Sequence, residues 1–271
     1  MKKIVSGGLT FITYIAAIIY FFPVLWIFIT GFKTESEAIN IPPTLFFKPT
    51  LENFQMVWNM GVGDFFINSA IITLLSTLIA LLLGVPAAFA LAMYRVKRKE
   101  DILFWVISTR FLPIAGIIIP LYLVFKSVNL LDSLVALILL YAGMNVPLII
   151  WMMRSFFNDV SYEIIEATQI DGATGIQSFF KVVLPLVRPG LISTALLSMV
   201  FAWNEFFFAV SLSYTNAATL PVYMSSYMTQ EGLFWAKMCA AASIAILPVI
   251  ILGWFTQKQL VRGLTMGAVK G

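Results

Sequence analysis

The sequence predicts an all-α polytopic membrane protein with about six transmembrane helices, and three observations indicate this fold class. Of the 271 residues, 61% are hydrophobic and 11% are charged, whereas soluble domains are roughly 45–50% apolar and about 25% charged. Six stretches come close to the roughly 20 apolar residues that cross a bilayer core of about 30 Å. The basic residues gather between alternate stretches, as the positive-inside rule requires.

The predicted spans favour a protein that lines a cavity. Several contain proline, which removes a backbone donor and kinks a helix, and a rigid anchor tolerates this poorly. The first span is too long for the roughly 7–15 apolar residues of a signal peptide, so we expect it to stay as a transmembrane helix. In order, the predicted spans are Leu9–Gly31, Phe65–Tyr94, Ile102–Phe125, Ser133–Met153, Pro189–Leu212 and Met238–Gln257.

The orientation follows from the distribution of the 17 basic residues. If the N-terminus is cytoplasmic, only Lys33, Lys48, Lys126 and Lys237 lie outside, and Arg110 lies within a span. Both termini are therefore predicted to be cytoplasmic. The residues placed on the cytoplasmic side are Lys2, Lys3, Arg95, Lys97, Arg98, Lys99, Arg154, Lys181, Arg188, Lys258, Arg262 and Lys270.

Composition argues against several classes of function. The formal charge of +4 fits a basic cytoplasmic face better than nucleic-acid binding. The single cysteine, Cys239, cannot form an intrachain disulfide or a cysteine-rich metal site, and the absence of histidine removes the commonest metal ligand and general base. The ATP-binding motif G-x-x-x-x-G-K-S/T is also absent. We therefore expect no metal, no bound cofactor and no catalysis by this chain.

A polar segment between the fourth and fifth spans is long enough to fold by itself. Glu163, Glu166 and the glutamine that follows them recur every third position, which is helical spacing. Asp171-Gly172 then favours a turn, because glycine readily adopts the left-handed conformation that ends helices. The segment, residues 158–186, is predicted to be a cytoplasmic helix-turn-helix, far longer than the usual 2–8 residues between neighbouring helices.

The second helix of this segment is predicted to begin at a capping box, in which Thr174 and Gln177 satisfy each other's backbone donors. Apolar residues then repeat at i, i+3, i+4 and i+7, which predicts a single apolar stripe. We expect Pro185 to end the helix before the next span. The stripe consists of Ile176, Phe179, Phe180 and Val183.

Two interpretations of this segment stay open on the pattern alone. In the first, the helices lie on the membrane surface with their phenylalanines among the lipid headgroups. In the second, they present an exposed knob to a soluble partner, and a rigid helix held by that partner moves two spans at once. The acidic residues favour the second interpretation, because they fit poorly on an anionic surface.

The segment also resembles a known motif. The run "EATQIDGA" followed by "VVLPL" is similar to the EAA loop in the membrane subunits of ATP-binding-cassette importers, with Glu166, Gly172 and Pro185 at the expected spacing. Thr168 departs from that family, which usually has a second alanine there. The runs "INSAIITLLSTLIALLLGVPAAFALAMYRVK", "TRFLPIAGIIIPLYLVF" and "FAWNEFFFAVSL" look like its core spans. The tail "QLVRGLTMGAVKG" is similar to that of the carbohydrate-uptake branch, specifically the shorter permease of the maltose type.

The resemblance implies a type I importer permease fold with cytoplasmic EAA coupling helices, in the cell membrane (inner or plasma) of a prokaryote. It implies a second homologous permease, two ATP-binding subunits that hold ATP and Mg, an extracellular solute-binding protein and a sugar as partners. The residues implied to dock on an ATP-binding subunit are Glu163, Glu166, Ala167, Asp171, Gly172, Ala173, Leu184 and Pro185. The tail residues implied to make a further contact, between the two ATP-binding subunits, are Arg262, Gly263 and Gly267.

Three regions are predicted along the chain. Residues 1–64 form an N-terminal transmembrane helix and an external loop. Residues 65–258 form the core permease domain, which includes the coupling loop at 158–186. Residues 259–271 form a cytoplasmic C-terminal tail.

Two charged residues, Arg110 and Glu205, fall within predicted spans, and such residues are costly enough in lipid to be functional candidates. At about 1.5 Å per residue they lie at different depths, so we expect no direct ion pair. Trp203 and Asn204 beside Glu205 offer an aromatic face and polar groups of the kind that bind sugars, and Asn145 is a further candidate for the substrate pathway. In an alternative that stays open, Asn204 and Glu205 stabilise helix packing or face the sister subunit.

The predicted function is the translocation subunit of an ATP-driven importer of a sugar, in particular an oligosaccharide. One alternative is a permease of the same fold for polyamine, phosphate or amino acid. Another is an ion-coupled secondary transporter, which needs charged relays at the membrane midplane and finds only Arg110 and Glu205 here. A membrane-embedded enzyme is disfavoured because no histidine, metal cluster or paired carboxylate occurs within a span.

Overall fold

The computed structural model describes residues 2–229 and 232–265, which are nearly all helical. A 3-10 turn covers Thr109–Phe111, a π-helical turn covers Phe179–Val183, and the strands β1 (Met228–Thr229) and β2 (Gly232–Leu233) pair antiparallel. The helices are α1 (Lys2–Gly31), α2 (Glu35–Ala38), α3 (Glu52–Asn59), α4 (Val62–Met93), α5 (Lys99–Ser108), α6 (Ile114–Ser127), α7 (Leu134–Asn158), α8 (Tyr162–Ile170), α9 (Gly175–Ser178), α10 (Leu184–Leu186), α11 (Arg188–Trp203), α12 (Phe207–Leu212), α13 (Leu220–Ser225) and α14 (Trp235–Thr265).

Four of the described helices contain stretches long and apolar enough to cross a membrane. They correspond to the first, second, fourth and sixth predicted spans. Two bent helix pairs pass the same test, which brings the number of spans to as many as six among the described residues. The prediction of an all-α polytopic membrane protein is confirmed. The four unbroken stretches are Gly8–Gly31, Val62–Met93, Leu134–Asn158 and Trp235–Trp254.

The third predicted span, Ile102–Phe125, is wrong as a single helix. The helical segment that ends with the 3-10 turn meets α6 at an angle of 91°. Pro113 is the N-cap of α6, and the preceding residue, Leu112, has an extended ψ of 127°. A proline ring excludes helical backbone from the residue before it. The apolar run is therefore divided between two helices.

The fifth predicted span, Pro189–Leu212, is also wrong as a single helix. α11 and α12 are separated by residues 204–206. Glu205 lies in this gap, and its carboxylate accepts the backbone N–H of Phe208 at 3.0 Å and that of Ala209 at 3.2 Å. The side chain thus starts a new helix in the way an N-cap residue does. A count of apolar residues does not register this local competition for backbone donors.

Contacts divide the chain into two units. The first is formed by the residues up to Asp64 together with Tyr223–Pro248, and the second by Phe65–Val222 together with the residues from Val249 onward. The boundaries that the sequence predicted at residues 64 and 258 stay predictions. The second unit contains both features that the sequence singled out, the polar segment 158–186 and the charged residues of the broken spans.

Polar side chains fix the chain that follows α1 within the first unit. The amide Nδ2 of Asn53 donates to the carbonyl oxygens of Gly31 at 2.9 Å and Lys33 at 2.6 Å. The carboxylate of Glu35 accepts the N–H of Ala236 at 3.0 Å. This carboxylate therefore satisfies a free donor at the start of α14.

α7 is the central helix of the second unit and packs against α5, α11 and α12. One core cluster, here named the loop cluster, joins α4 and α7 to the polar segment. Its buried members are Ala80, Val85, Ala88, Phe89, Ile149, Met153, Phe157, Ile165, Phe179, Val183 and Val187. A second core cluster lies towards the other end of α7, and its buried members are Ile72, Leu137, Ile138, Tyr141, Ala202, Phe208, Ala209, Leu212 and Ala217.

Asp132 fastens the turn between α6 and α7 to the chain that follows α12. Its carboxylate accepts the backbone N–H groups of Tyr214, Thr215, Asn216 and Ala217 at distances of 2.8 to 3.3 Å. Burial opposes ionisation of this carboxyl, but the backbone donors outweigh burial and hold the pKa of Asp132 at about 2. The carboxylate therefore acts as a clip between two loops.

We expect Asp132→Asn to lower the free energy of unfolding by about 2 kcal/mol, because hydrogen bonds to a charged acceptor are worth roughly 1.5–3 kcal/mol. In the folded protein the pKa of the Asp132 carboxyl lies below its ordinary value of 3.8. This stabilisation is therefore present above about pH 4 and is lost as the pH falls towards 2. Thermal melting of the purified protein should show a difference at about pH 7 that shrinks in acid. Asp101→Asn, on the exposed start of α5, is the control. If Asp132→Asn lost no more stability than this control, Asp132 would not hold the two loops together.

Candidate functional site

The polar segment, residues 158–186, is named here the EAA-like loop. Its first helix, α8, ends in a turn at Gly172, whose φ of +80° is the left-handed conformation that residues with side chains avoid. The N–H of Ala173 donates to the carbonyl of Thr168 at 2.9 Å and closes this turn. The turn predicted at Asp171-Gly172 is confirmed.

The second arm of the loop begins at the predicted capping box. The N–H of Gln177 donates to Oγ1 of Thr174 at 3.3 Å, and the N–H of Thr174 donates to Oε1 of Gln177 at 2.9 Å. Each side chain thus satisfies a backbone donor that the helix start leaves free. The capping box fixes the start of α9, and this prediction is confirmed.

The prediction that Pro185 ends the helix is wrong. Pro185 lies inside α10, and the chain leaves helical geometry at Val187. The π-helical turn Phe179–Val183 directly precedes α10, and the N–H of Leu184 bonds to the carbonyl of Phe179 across it. Because a π turn is wider than an α turn, it relieves the clash between a proline ring and the preceding turn.

The predicted single apolar stripe is also wrong, because its residues point in two directions. Phe179 and Val183 are buried in the loop cluster, whereas Ile176 and Phe180 are exposed. Ile176 and Phe180 are four residues apart, as are Phe179 and Val183, so each pair shares one side of the helix. One half of the stripe therefore holds the loop to the spans, and the other half is available to a partner.

The outward surface of the loop is partly apolar and partly acidic. Ile170, Ile176 and Phe180 have 87%, 73% and 60% of their surface accessible. The acidic residues Glu163, Glu166 and Asp171 form no ion pair with another described residue. Of the predicted docking residues, Glu163, Glu166, Ala167, Asp171, Gly172 and Pro185 are exposed, and Ala173 and Leu184 are half-buried.

The predicted tail contact lies at the end of the described chain. Arg262 and Gly263 fall in the last turns of α14, which continues to Thr265. Gly267 lies outside the described residues. The role of these three residues stays a prediction.

A cleft of about 700 Å³ lies in the second unit, between the bend that joins α5 to α6 and the helices α7, α11 and α12. Its wall is mostly apolar, and the charged or amide-bearing side chains in it are Arg110, Asn145 and Glu205. A mostly apolar wall with a few convergent polar groups is typical of small-molecule sites. No group of three His, Cys, Asp or Glu side chains that could hold a metal occurs among the described residues.

The two charges of the cleft bind different partners. Nη1 of Arg110 donates to the carbonyl of Met144 at 2.8 Å, and the guanidinium lies 5.3 Å from the ring centre of Phe201. Oε2 of Glu205 accepts the hydroxyl of Tyr141 at 2.6 Å, in addition to the backbone donors of α12. Within the described chain no ion pair joins Arg110 to Glu205.

Two of the four predicted substrate-pathway residues, Asn145 and Glu205, meet in the cleft. Asn145 has 3% of its surface accessible, and its Nδ2 lies 3.5 Å from the carbonyl oxygen of Ser198. This is long for a hydrogen bond. The amide therefore keeps bonding capacity towards the cleft.

The other two predicted residues, Trp203 and Asn204, do not line the cleft. The ring of Trp203 packs edge-on against Phe66 with 5.6 Å between centroids. Nδ2 of Asn204 donates to the carbonyl of Val200 at 2.8 Å. Adjacency to Glu205 in the sequence therefore does not bring either side chain into the cleft.

Tyr141, which bonds to Glu205, is among the cleft residues that the sequence reasoning missed. It lies within an apolar span, where a tyrosine counts as one more hydrophobic residue. The available signal was its spacing, because Tyr141 and Asn145 are four residues apart and so share one face of α7. Two polar side chains on one face of a span indicate a cavity or a polar partner.

Comparison with known proteins identifies the class of this chain. Residues 80–263 match the family of binding-protein-dependent transport system inner membrane components. The chain belongs to this family. The permease is 38% identical over 253 residues to the sulfoquinovosyl glycerol transport system permease protein SmoH of Agrobacterium fabrum, which covers 92% of this chain and 89% of the relative.

Two further relatives of the permease cover it to a similar extent. It is 34% identical over 255 residues to the diacetylchitobiose uptake system permease protein DasC of Streptomyces coelicolor, covering 92% of each chain. It is 35% identical over 260 residues to the trehalose transport system permease protein SugB of Mycobacterium tuberculosis, again covering 92% of each. The resemblance of the chain to importer permeases is confirmed by the family match, whose residues include the EAA-like loop.

The fold of the permease matches a solved structure of a bacterial ABC transporter involved in the import of the acidic polysaccharide alginate. The TM-score is 0.75 and the identity 24%, and the match covers 94% of this chain and 96% of the other. At this identity the likeness shows the fold alone. Family and fold together make the chain a transport subunit of the ABC importer type that crosses the membrane several times.

Glu205 should contribute to both stability and transport. Glu205→Ala removes the acceptor for Tyr141 and for the first backbone donors of α12, so we expect it to lower the free energy of unfolding by about 2 kcal/mol or more. Because Glu205 lines the cleft, uptake by the complete transporter should also fall. Asn204→Ala is the matched control, since Asn204 is adjacent but does not line the cleft. If this control reduced uptake as strongly as Glu205→Ala, the cleft would not be the pathway.

Proposed function

We propose that this permease is the translocation subunit of an ATP-driven sugar importer, and that the EAA-like loop docks on an ATP-binding subunit. The observation that carries the docking is the division of the loop into a buried base and an exposed tip. Phe179 and Val183 belong to the loop cluster, while Ile170, Ile176 and Phe180 are exposed beside acidic residues. A cleft on a soluble partner can bury such a tip and satisfy its charges at the rim.

The alternative in which the loop lies on the membrane surface loses support from the same packing. That interpretation needed both phenylalanines among the headgroups, but Phe179 has only 7% of its surface accessible. The acidic residues Glu163, Glu166 and Asp171 share the exposed surface with the remaining apolar side chains, and anionic lipids repel them. A basic or neutral protein cleft is a better environment for this combination.

The proposed complex contains four further subunits besides this permease: a second homologous permease, two ATP-binding subunits and an extracellular solute-binding protein. ATP and Mg are held by the ATP-binding subunits, and this chain contributes no catalytic group. Closure of the ATP-binding subunits displaces the EAA-like loop and shifts the population of the spans between inward-open and outward-open states. In this arrangement both termini lie in the cytoplasm of a prokaryotic cell, and the end of α14 approaches the ATP-binding subunits.

The proposal of a sugar as substrate rests on the relatives and on the cleft. Three relatives that match along nearly the whole chain are named for sulfoquinovosyl glycerol, diacetylchitobiose and trehalose, all sugars or sugar conjugates. The cleft combines the aromatic ring of Phe201 with the polar groups of Asn145 and Glu205. Rings that stack on sugars and groups that bond hydroxyls are the usual components of a saccharide site.

We expect Gly172→Pro to abolish capture of the ATP-binding subunit from native membranes while leaving membrane insertion intact. Proline fixes φ near −65° and cannot adopt the +80° of Gly172, so the turn between the two arms is lost. Ser161→Pro is the matched control, because Ser161 precedes α8 with a φ of −59° that suits proline. Equal capture by wild type and Gly172→Pro would remove the docking proposal.

The substrate class is tested by uptake into proteoliposomes that contain the complete complex. We expect accumulation of a labelled mono- or oligosaccharide that depends on ATP and on the solute-binding protein. Putrescine, phosphate and amino acids are offered in the same assay. Accumulation of one of these, with no saccharide transported, would contradict the sugar proposal but leave the docking proposal in place.

A further inference from the structure

The EAA-like loop is held to the spans by the ring of Phe179. Its centroid lies 4.8 Å from that of Phe89 on α4 and 6.3 Å from that of Phe157 on α7, and Phe89 and Phe157 lie 5.5 Å apart. These separations are within the range of favourable aromatic pairs. One side chain of the loop therefore contacts two membrane helices at once.

The two arms of the loop are also tied to each other next to this ring. Oγ1 of Thr168 on α8 and Oγ of Ser178 on α9 lie 2.7 Å apart. Thr168 donates to the carbonyl of Ile165 at 2.8 Å, so Ser178 must be the donor in the hydroxyl pair. Ser178 is buried and immediately precedes Phe179. The hydroxyl pair thus joins α8 to the residue directly before Phe179.

A close approach of Tyr94 adds a second contact between α4 and the loop. A Cβ atom on Gly175 would lie only 2.6 Å from the hydroxyl of Tyr94, so the absence of a side chain allows this approach. The ring of Tyr94 packs edge-on against Phe89 with 5.8 Å between centroids. The end of α4 and the start of α9 are thus packed around the same aromatic group.

α7 connects this aromatic packing to the cleft. Phe157 lies near one end of the helix, and Tyr141 lies sixteen residues earlier, about 24 Å along the axis at 1.5 Å per residue. Tyr141 donates its hydroxyl to Glu205 in the cleft wall. α7 runs as one helix through Pro147, and close-packed side chains transmit displacement rather than absorb it, so a push on Phe179 reaches the cleft wall through Phe157.

We propose that Phe179 is the positioning residue through which movement of the docked loop reaches α4, α7 and the cleft. This proposal rests on the proposed function, because it needs an ATP-binding subunit on the exposed tip. The neighbouring residue, Phe180, packs edge-on against Phe179 with 4.7 Å between centroids, but it is exposed and belongs to that tip. Adjacent phenylalanines therefore have separate tasks, since Phe180 contacts the ATP-binding subunit and Phe179 passes the movement to the spans.

The test compares Phe179→Ala with Phe180→Ala in the complete complex in proteoliposomes. For Phe179→Ala we expect normal capture of the ATP-binding subunits and normal ATP hydrolysis, but about fivefold fewer sugar molecules transported per ATP, within the range for residues of a coupling network. For Phe180→Ala we expect capture itself to fall about tenfold, as for truncation of an interface anchor. A residue that only supported folding would lower yield and capture together and leave the ratio of transport to hydrolysis unchanged.

Further variants keep the test decisive where Phe179→Ala yields little complex. Phe179→Leu retains most of the volume but loses the ring, and it should lower transport per ATP about twofold. Thr168→Val has the shape of threonine without its hydroxyl and should have a similar effect with capture unchanged. Phe157→Ala should lower transport per ATP as much as Phe179→Ala does, again with normal capture. In the double variant, transport per ATP should fall about as much as in either single variant, because both residues belong to one contact. If the two residues acted independently, transport per ATP would fall about 25-fold.

The outcomes separate this inference from the proposed function. Unchanged transport per ATP in both Phe179→Ala and Phe179→Leu would overturn the role of Phe179, as would a multiplicative loss in the double variant with Phe157→Ala. Failure of the wild-type permease to capture any ATP-binding subunit would instead overturn the docking on which the inference rests. Capture that falls in parallel for Phe179→Ala and Phe180→Ala would reduce Phe179 to a support for the docking surface.

Discussion

The packing of Phe179 between Phe89 and Phe157 is the interaction on which the rest of the structure depends. An exposed tip such as Ile176 and Phe180 can dock on a partner in any orientation if its base is loose. Only a base packed into the core gives the tip a fixed direction relative to the membrane helices. The base and the tip come from one helical run, in which Phe179 and Val183 are buried and Ile176 and Phe180 are exposed.

The two charged side chains of the cleft, Arg110 and Glu205, are each stabilised by groups of the fold. Arg110 and Glu205 are each costly in an apolar surrounding, and each is bonded to groups of the fold rather than to the other. Glu205 accepts hydrogen bonds from a backbone N–H of α12 and from the hydroxyl of Tyr141 on α7. A movement of α7 therefore changes the surroundings of the carboxylate directly. The cleft wall and the base of the EAA-like loop thus contact opposite ends of α7.

Local signals in the sequence predicted the spans with unbroken periodicity, the glycine turn and the capping box at Thr174, because each depends on residues within one or two turns. Long-range features were beyond such signals. Glu205 divides a predicted span because its carboxylate competes for backbone donors, and Asp132 finds its partners more than 80 residues away. Tyr141 and Phe179 read as ordinary apolar residues, since only the fold decides which neighbour each ring or hydroxyl meets.

The most direct measurement is the distance between spin labels on Gln169 of α8 and Ser155 of α7, both exposed, by double electron–electron resonance in the complete complex. Cys239 is replaced by serine so that the permease carries labels at these two positions alone. If the loop and α7 move as one body, the distance stays the same within about 2 Å between the nucleotide-free and the ATP-closed complex. A shift of about 5 Å, one helical turn, would show that the loop slides past α7 and would contradict transmission through Phe179.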